Sequence, residues 1–392
     1  MGSLPVPESR LFTPLKIGNV TLQHRIGMAP LTRMRACDNR VPSDLMKEYY
    51  SQRASVPGTL IIAEGTLVAP YAGGGFPNGP GIWNDEQVTG WKTITDEVHS
   101  KGSFIFSQLF GFGRAANPAT AAAEGIEIVG ASAIPIDENS PVPRELTREE
   151  IKQYVRDFVA AAKNAIRAGF DGVEVHGGQG YLLDQFIQDV SNQRNDEYGG
   201  SIENRSRLIL EIIEAVVDAI GPERVGFRLS PYNSFQGMRM KNPIPQFSDI
   251  ITKASKFNLA YLHLIESRVS GGGDQDCSER IDWAIKLWDG PILVAGGYRL
   301  LADAQKVLDE EYPDKNIVII FGRYFISNPD LVFRLQMGLE LRPYDRPTFY
   351  TQKSPQGYID YPFSAEYLSR QVMLLRSEGS GHWTTRATSD YS

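Results

Sequence analysis

Long apolar runs are absent from this chain. Although 42% of its 392 residues are hydrophobic, no stretch approaches the roughly 18 consecutive apolar residues that a membrane-crossing helix needs. Cysteine is scarce. Cys37 and Cys277 are the whole supply, too little for a disulfide framework, and a reducing, cytoplasmic setting is the expectation. Positive charge is not in excess either. The formal net charge is −7, which excludes a chain-wide basic field and with it nucleic acid as a partner. A local basic cluster for one phosphate stays open. The opening MGSLPVPESRLF has no apolar signal-peptide core. No metal site is expected, and the chain is expected to work off the membrane as a monomer or homodimer.

What the sequence does contain is a succession of short apolar segments. They are RIGMAP (25–30), TLIIAEG (59–65), SFIFSQL (103–109), GVEVHG (172–177), VGFRLS (225–230), AYLHLIE (260–266), PILVAGG (291–297) and IVIIFG (317–322). Most lack polar alternation, as strands buried on both faces do, and such strands are parallel ones. Helical patterns separate them at 44–53, 87–100, 147–168, 203–220, 245–257, 278–288, 300–310 and 328–339. In the clearest, Thr147 and Glu150 form a capping box, and Ile151, Tyr154, Val155, Phe158, Val159, Ala162 and Ile166 follow at helical spacing. Gly169 then stands where a left-handed cap belongs.

Eight strand–helix units in this length predict an α/β fold, a closed (β/α)8 TIM barrel, over an open doubly wound sheet. The chain reads as one domain over residues 1–375. Residues 10–24 predict a hairpin turning at Gly18-Asn19 and plugging the barrel bottom. The Gly-, Ala- and Pro-rich stretch 111–146 reads as a lid-like excursion after the third strand. Residues 376–392 read as a loosely docked tail.

Barrel chemistry lies at the C-terminal strand ends. These carry Ala29-Pro30-Leu31-Thr32, Glu64-Gly65, Gln108, then His176 with Gln179 and Tyr181, then Arg228, Gly296-Gly297 and Gly322-Arg323. Singly, each has an ordinary structural reading: a satisfied polar side chain, or a turn. Together, bare glycine backbone and two arginines on one rim predict a phosphate site beside a flat hydrogen-bonding ring. SNPDL (327–331) is expected to start a helix whose N-terminus adds its dipole. Arg228, set in the barrel mouth, demands an anionic partner.

The stretches LFTPLKIGN, MAPLTRMRA, YYSQRA, PGTLIIAEGT, QLFGFGRAA, FDGVEVHGGQGYLLDQF, YGGSIENRSRL, RLSP, AGGY, FGRYFISNPDL and DYP occur in order. In them the chain resembles the old yellow enzyme family of FMN-dependent ene-reductases over about residues 10–370, and YLHL and DYPFSAEY resemble its fungal secondary-metabolism branch. The resemblance implies bound FMN, NADPH as a transient reductant, and an enone or enal substrate. It implies flavin contacts from Pro30, Thr32, Gly65, Gln108, Arg228, Gly297, Gly322 and Arg323. His176 and Gln179 match the pair that binds the substrate carbonyl oxygen, and Tyr181 matches the proton donor.

Two positions depart from the family pattern. Gln179 stands where His or Asn is usual, and its amide is still a donor but one methylene longer than that of Asn. Phe110 stands where many members carry tryptophan, which implies extra room above the flavin. Phe349 and Tyr350 are expected to shape the same pocket. Three functions compete: an ene-reductase, a flavin-dependent alkene isomerase without net NADPH use, and a non-redox flavin-bound cyclase. A competent acid at Tyr181 favours the first.

Overall fold

The structure, a computed structural model, describes residues 9–270, 273–274 and 278–379. Eight parallel strands close into a barrel in strict chain order: β1 (Ile26–Met28), β2 (Leu60–Leu67), β3 (Phe104–Phe110), β4 (Gly172–Gly177), β5 (Val225–Leu229), β6 (Tyr261–Ile265), β7 (Ile292–Ala295) and β8 (Ile317–Phe321). Strand β8 returns to β1 through Ile319↔Ile26, Ile320↔Gly27 and Phe321↔Met28. This is the expected (β/α)8 barrel. Both strand faces are buried, as the unbroken apolar runs require. Along β2, Leu60 and Ile62 pack in the barrel interior while Ile61 and Ala63 pack outward against the helices.

The outer layer comprises α1 (Asp44–Arg53), α2 (Asp85–Ser100), α3 (Arg148–Arg167), α4 (Ile202–Ile220), α5 (Pro243–Ala254), α6 (Asp282–Lys286), α7 (Leu301–Gln305) and α8 (Leu331–Met337). The α3 start is the expected box: Glu150 N–H donates to Thr147 Oγ1 at 3.2 Å, and Thr147 N–H to Glu150 Oε2 at 2.8 Å. Gly169 follows with φ +88°. Helices α6 to α8 are shorter than their sequence patterns, and α7 widens into a π-helical turn over Lys306–Glu311. Short helices at Leu182–Ile187 and Arg323–Ser327, and a longer one at Ala365–Gly379, went unread. The first two are shorter than two turns, too short for a hydrophobic period to register. Among the described residues no helix is long and apolar enough to cross a membrane.

At the bottom, Leu15–Ile17 and Val20–Leu22 pair antiparallel around Gly18-Asn19. Leu15, Ile17, Val20 and Leu22 join the interior cluster of Leu60, Phe106, Tyr261, Leu293 and Val318, so the hairpin is the plug. Gly18 has φ +50°, and a Cβ there would meet the Glu223 carbonyl oxygen at 1.9 Å, so only glycine serves.

The 111–146 excursion is a packed element and not an open lid. It contains a helix, Pro118–Glu124, and a strand, Val129–Gly130, paired with Arg144–Glu145. Buried Arg114 ties it down by donating to the carbonyls of Ile134, Pro135 and Gln236. The tail expectation at 376–392 is changed at its start, where the last helix continues through Gly379; the rest of that segment, and Cys277, lie outside the described residues. Cys37 is exposed with a free thiol.

Three buried arginines fix a C-terminal strap over the barrel top. Arg33 donates to Gly357 O at 2.6 Å, Arg35 to Phe349 O at 2.8 Å and to Thr348 O at 3.0 Å, and Arg53 to Tyr358 O at 3.0 Å. Tyr358 stacks on Tyr49 with centroids 4.1 Å apart. Planar guanidinium forks suit such multiple carbonyl contacts. The strap carries Phe349 and Tyr350 to the barrel mouth.

Candidate active site

A cavity of about 380 Å3 opens at the C-terminal face of the barrel, within the usual span of small-ligand sites. Ala29, Pro30, Leu31, Thr32, Gln179, Tyr181, Arg228, Gly296, Gly297, Gly322, Arg323 and Tyr350 all line it. These residues come from β1, β4, β5, β7, β8 and the strap. Only the closed barrel brings them together.

The wall after β4 is built by a tight turn. Gln179 holds φ +57°, a left-handed conformation that non-glycine residues seldom adopt. Its backbone N–H donates to Ser230 Oγ at 2.7 Å. A Cβ on Gly178 would lie 2.7 Å from that same oxygen. Gly180 N–H donates to Asp184 Oδ2 at 2.8 Å, and Gln185 Nε2 donates to Gly180 O at 2.8 Å. The turn delivers Tyr181, whose ring meets Phe110 edge-on at 5.2 Å and lies 5.5 Å from the His176 ring. Burial, with a contribution from Tyr350, pushes the Tyr181 phenol above the ordinary tyrosine range. It therefore stays protonated at neutral pH.

His176 is buried at the end of β4, and its Nδ1 has no hydrogen-bond partner. Burial first, then the positive charge of Arg228, lower its pKa to about 3, so the imidazole is neutral. Arg228 stands in register with His176 on β5. Its Nη1 donates to Gln179 Oε1 at 3.4 Å, while its buried Nε is unpartnered.

The opposite wall is a ledge of glycine and cation. Gly297 has φ +73°. A Cβ on Gly322 would touch only Leu31 and Ala29 side chains, at 3.6 and 3.8 Å, so this backbone is open toward the cavity. Arg323 donates to Tyr344 Oη at 3.1 Å and pairs with the Asp274 carboxylate, which also pairs with Arg299. Arg299 lines the cavity too and was not anticipated.

Several sequence expectations need correcting. Strand β2 does not end at Glu64-Gly65. It continues to Leu67 past a register shift between Ala63 and Thr66. Gly65 is absent from the cavity wall, and a Cβ there would lie 2.9 Å from the Phe110 ring. Phe110 is buried with Phe112 behind Tyr181 and backs that ring without lining the cavity. SNPDL does not start a helix at the cavity. Asn328 donates to Arg342 O, and Asp330 accepts from Arg334 and Ser364, before α8 begins at Leu331. The helix at the ledge is Arg323–Ser327, directly after Gly322. The excursion at 111–146 contributes nothing to the lining.

Gln108 does not line the cavity but keeps 4% of its surface exposed. Its Nε2 donates at 2.7 Å to Oε1 of Glu174, and His263 Nδ1 donates at 2.7 Å to Oε2 of the same carboxylate. Glu174 and His263 are fully buried and were not picked out as site residues. The available signal was a charged or polar residue inside each of the apolar runs GVEVHG and AYLHLIE.

Residues 10–342 match the family described as NADH:flavin oxidoreductase / NADH oxidase. The chain belongs to that family. It is a flavin oxidoreductase of the old yellow enzyme type. The crystal structure of old yellow enzyme from a Pichia species superimposes with a TM-score of 0.85 at 41% identity, over 92% of this chain and 95% of that one. Among curated relatives, the chanoclavine-I aldehyde reductase fgaOx3 of Penicillium roqueforti is 50% identical, over 92% of this chain and 98% of its own length. The NADP-dependent oxidoreductase lnbE of Aspergillus flavus is 52% identical over 91% and 97%. A probable inactive reductase, easA of Epichloe festucae var. lolii, is 49% identical over 92% and 97%. Overall likeness thus does not separate working reductases from inactive ones, and the side chains in the mouth must.

Those side chains fit a flavin. The unpartnered Arg228 Nε suits an electron-rich ring edge. The bare ledge with Arg323 suits a phosphate at the other end.

Proposed function

We propose that the protein reduces the carbon–carbon double bond of an α,β-unsaturated aldehyde or ketone, with FMN as bound cofactor and NADPH as transient reductant. Reduced FMN, when bound, supplies hydride for the β-carbon. Gly296, Gly297, Gly322 and Arg323 hold its phosphate, residues 29–32 border the ring, and Gln108 and Arg228 serve its pyrimidine edge. His176 and Gln179 donate hydrogen bonds to the substrate carbonyl oxygen, drawing electron density from the double bond. Tyr181 delivers a proton to the α-carbon as general acid. The names of the aldehyde-reductase relatives favour an aldehyde from a fungal biosynthetic route. The partly exposed aromatics Phe235 and Tyr350 at the mouth favour a flat, largely apolar substrate.

The observation that carries this reading is the Tyr181 phenol and the Gln179 amide on one wall, with the His176 ring 5.5 Å from that of Tyr181, facing a glycine–arginine ledge on the other. The test mixes yellow protein with NADPH anaerobically, then adds an enal or enone. Bleaching followed by a product two mass units heavier is the expected result. A flavin that NADPH does not bleach ends the reading, and an unchanged mass with a moved double bond makes the protein an isomerase.

A further inference from the structure

Beneath the mouth lies one buried carboxylate that the proposed chemistry leaves without a task. Glu174 sits two residues before His176 on β4, with no exposed surface. Its strand neighbour on β5 is Gly226, which has no side chain, and the Tyr261 ring fills the space a Cβ would take, 2.3 Å away. Glu174 receives Gln108 from β3 on one oxygen and His263 from β6 on the other, each at 2.7 Å. Burial acts to raise the carboxyl's pKa, but His263, Arg228 and Gln108 together hold it below its usual value. His263 is kept neutral, mainly by burial. The cluster therefore holds one negative charge, on Glu174, against one positive charge, on Arg228.

We propose that Glu174 is a positioning residue that orients the Gln108 amide toward the flavin and offsets the Arg228 charge, so setting how tightly the protein holds FMN and how strongly it favours the reduced form. The proposal rests on the FMN reading above. A carboxylate only accepts hydrogen bonds, so Gln108 must turn its N–H2 toward it. The amide's carbonyl oxygen and second N–H then remain uncommitted to Glu174. An acceptor beside a donor matches the donor–acceptor order of the flavin pyrimidine edge, where N–H lies between two carbonyls. The charge argument is separate. Reduced flavin carries negative charge near N1, and Arg228 stabilises it. Glu174 weakens that stabilisation, because its opposite charge acts on the same guanidinium in a low-dielectric interior.

Two variants of the holoenzyme separate these roles. Glu174→Gln removes the charge and frees Gln108 to flip. FMN release on dilution, read by flavin fluorescence, should rise at least tenfold. Affinity for reduced over oxidised flavin should rise about tenfold, an upward potential shift of about 30 mV for a two-electron couple. Glu174→Asp keeps the charge but falls one methylene short of Gln108. It should loosen FMN while leaving the potential at the wild-type value. If both variants retain FMN and potential as the wild type does, the proposal is overturned. If Glu174→Asp shifts the potential as far as Glu174→Gln, the charge role is overturned. Wild-type protein that takes up no FMN overturns the functional reading itself.

Discussion

Arg228 Nη1 donates to the side-chain oxygen of Gln179 across 3.4 Å. That contact sets the orientation of the amide, because an arginine can only donate. The Gln179 oxygen faces Arg228, and its N–H2 is directed away from that cation.

Gln179 sits at φ +57°, where asparagine is better tolerated than glutamine. Gln179→Asn should therefore fold with unchanged or slightly raised melting temperature. It should also raise kcat/KM on small cyclic enones, since a well-placed oxyanion donor is worth roughly 10²–10³ in rate. An unchanged or lower rate would show that the longer side chain serves a different substrate geometry.

Tyr181→Phe should leave anaerobic flavin reduction by NADPH intact and slow turnover on enones by about 10²–10⁴, the usual worth of a general acid. Burial raises the phenol above the ordinary tyrosine value. In the wild type, flavin re-oxidation by enone should thus be flat with pH up to about 9. Stopped-flow measurement of the two half-reactions decides it: equal damage to both contradicts the proton-donor role.

Arg228→Ala should loosen FMN by roughly ten- to a hundredfold, because a hydrogen bond to a charged group is worth about 1.5–3 kcal/mol. It also leaves Glu174 without its compensating charge. Purified protein should be pale, with a shifted flavin absorption band. Tight, spectrally native binding would remove Arg228 from the cofactor site.

Buried histidines and carboxyls oppose one another in acid. His176 and His24 are lowered to about 3 and about 4, both chiefly by burial. The unfolded chain takes up these protons first, so stability falls as pH drops below about 6.5. Glu64 is raised to about 7 by burial. The folded state takes up that proton first, so its contribution is present below about 4.5 and is lost as pH rises toward 7. Asp184 behaves like Glu64. His263, also lowered mainly by burial, adds to the histidine loss, so the carboxyls should offset only part of it between pH 5 and 6.5. Glu64→Gln removes one carboxyl and should steepen the acid loss by about 1.4 kcal/mol per pH unit. Urea midpoints across this range provide the check. Parallel curves for variant and wild type would place the Glu64 pKa near its ordinary value.

The barrel was legible from the sequence because its strands are buried on both faces. Such strands need no solvent-facing alternation, so most appear as largely apolar runs, and all eight runs coincide with strands. The capping box at Thr147 and the Gly18-Asn19 turn were legible for a similar reason: each is a local hydrogen-bond or φ requirement met within a few residues. The polar strand ends that line the cavity could be named because barrel geometry puts every C-terminal strand end on one face.

What tertiary structure alone decided were contacts between residues far apart in the chain. Glu174 and His263 are separated by 89 positions, and nothing local marks them as a pair. Phe110 reads as a pocket residue until Gly65 and Phe112 are seen to hold it behind Tyr181. Arg33 and Arg35 find their carbonyl partners in the strap more than 300 residues later. Local sequence determined which segments become strands and helices, since burial pattern and backbone preference act over a few residues. The orientation of the site's polar groups depended on which distant donor meets which acceptor, and only closing the barrel sets those distances.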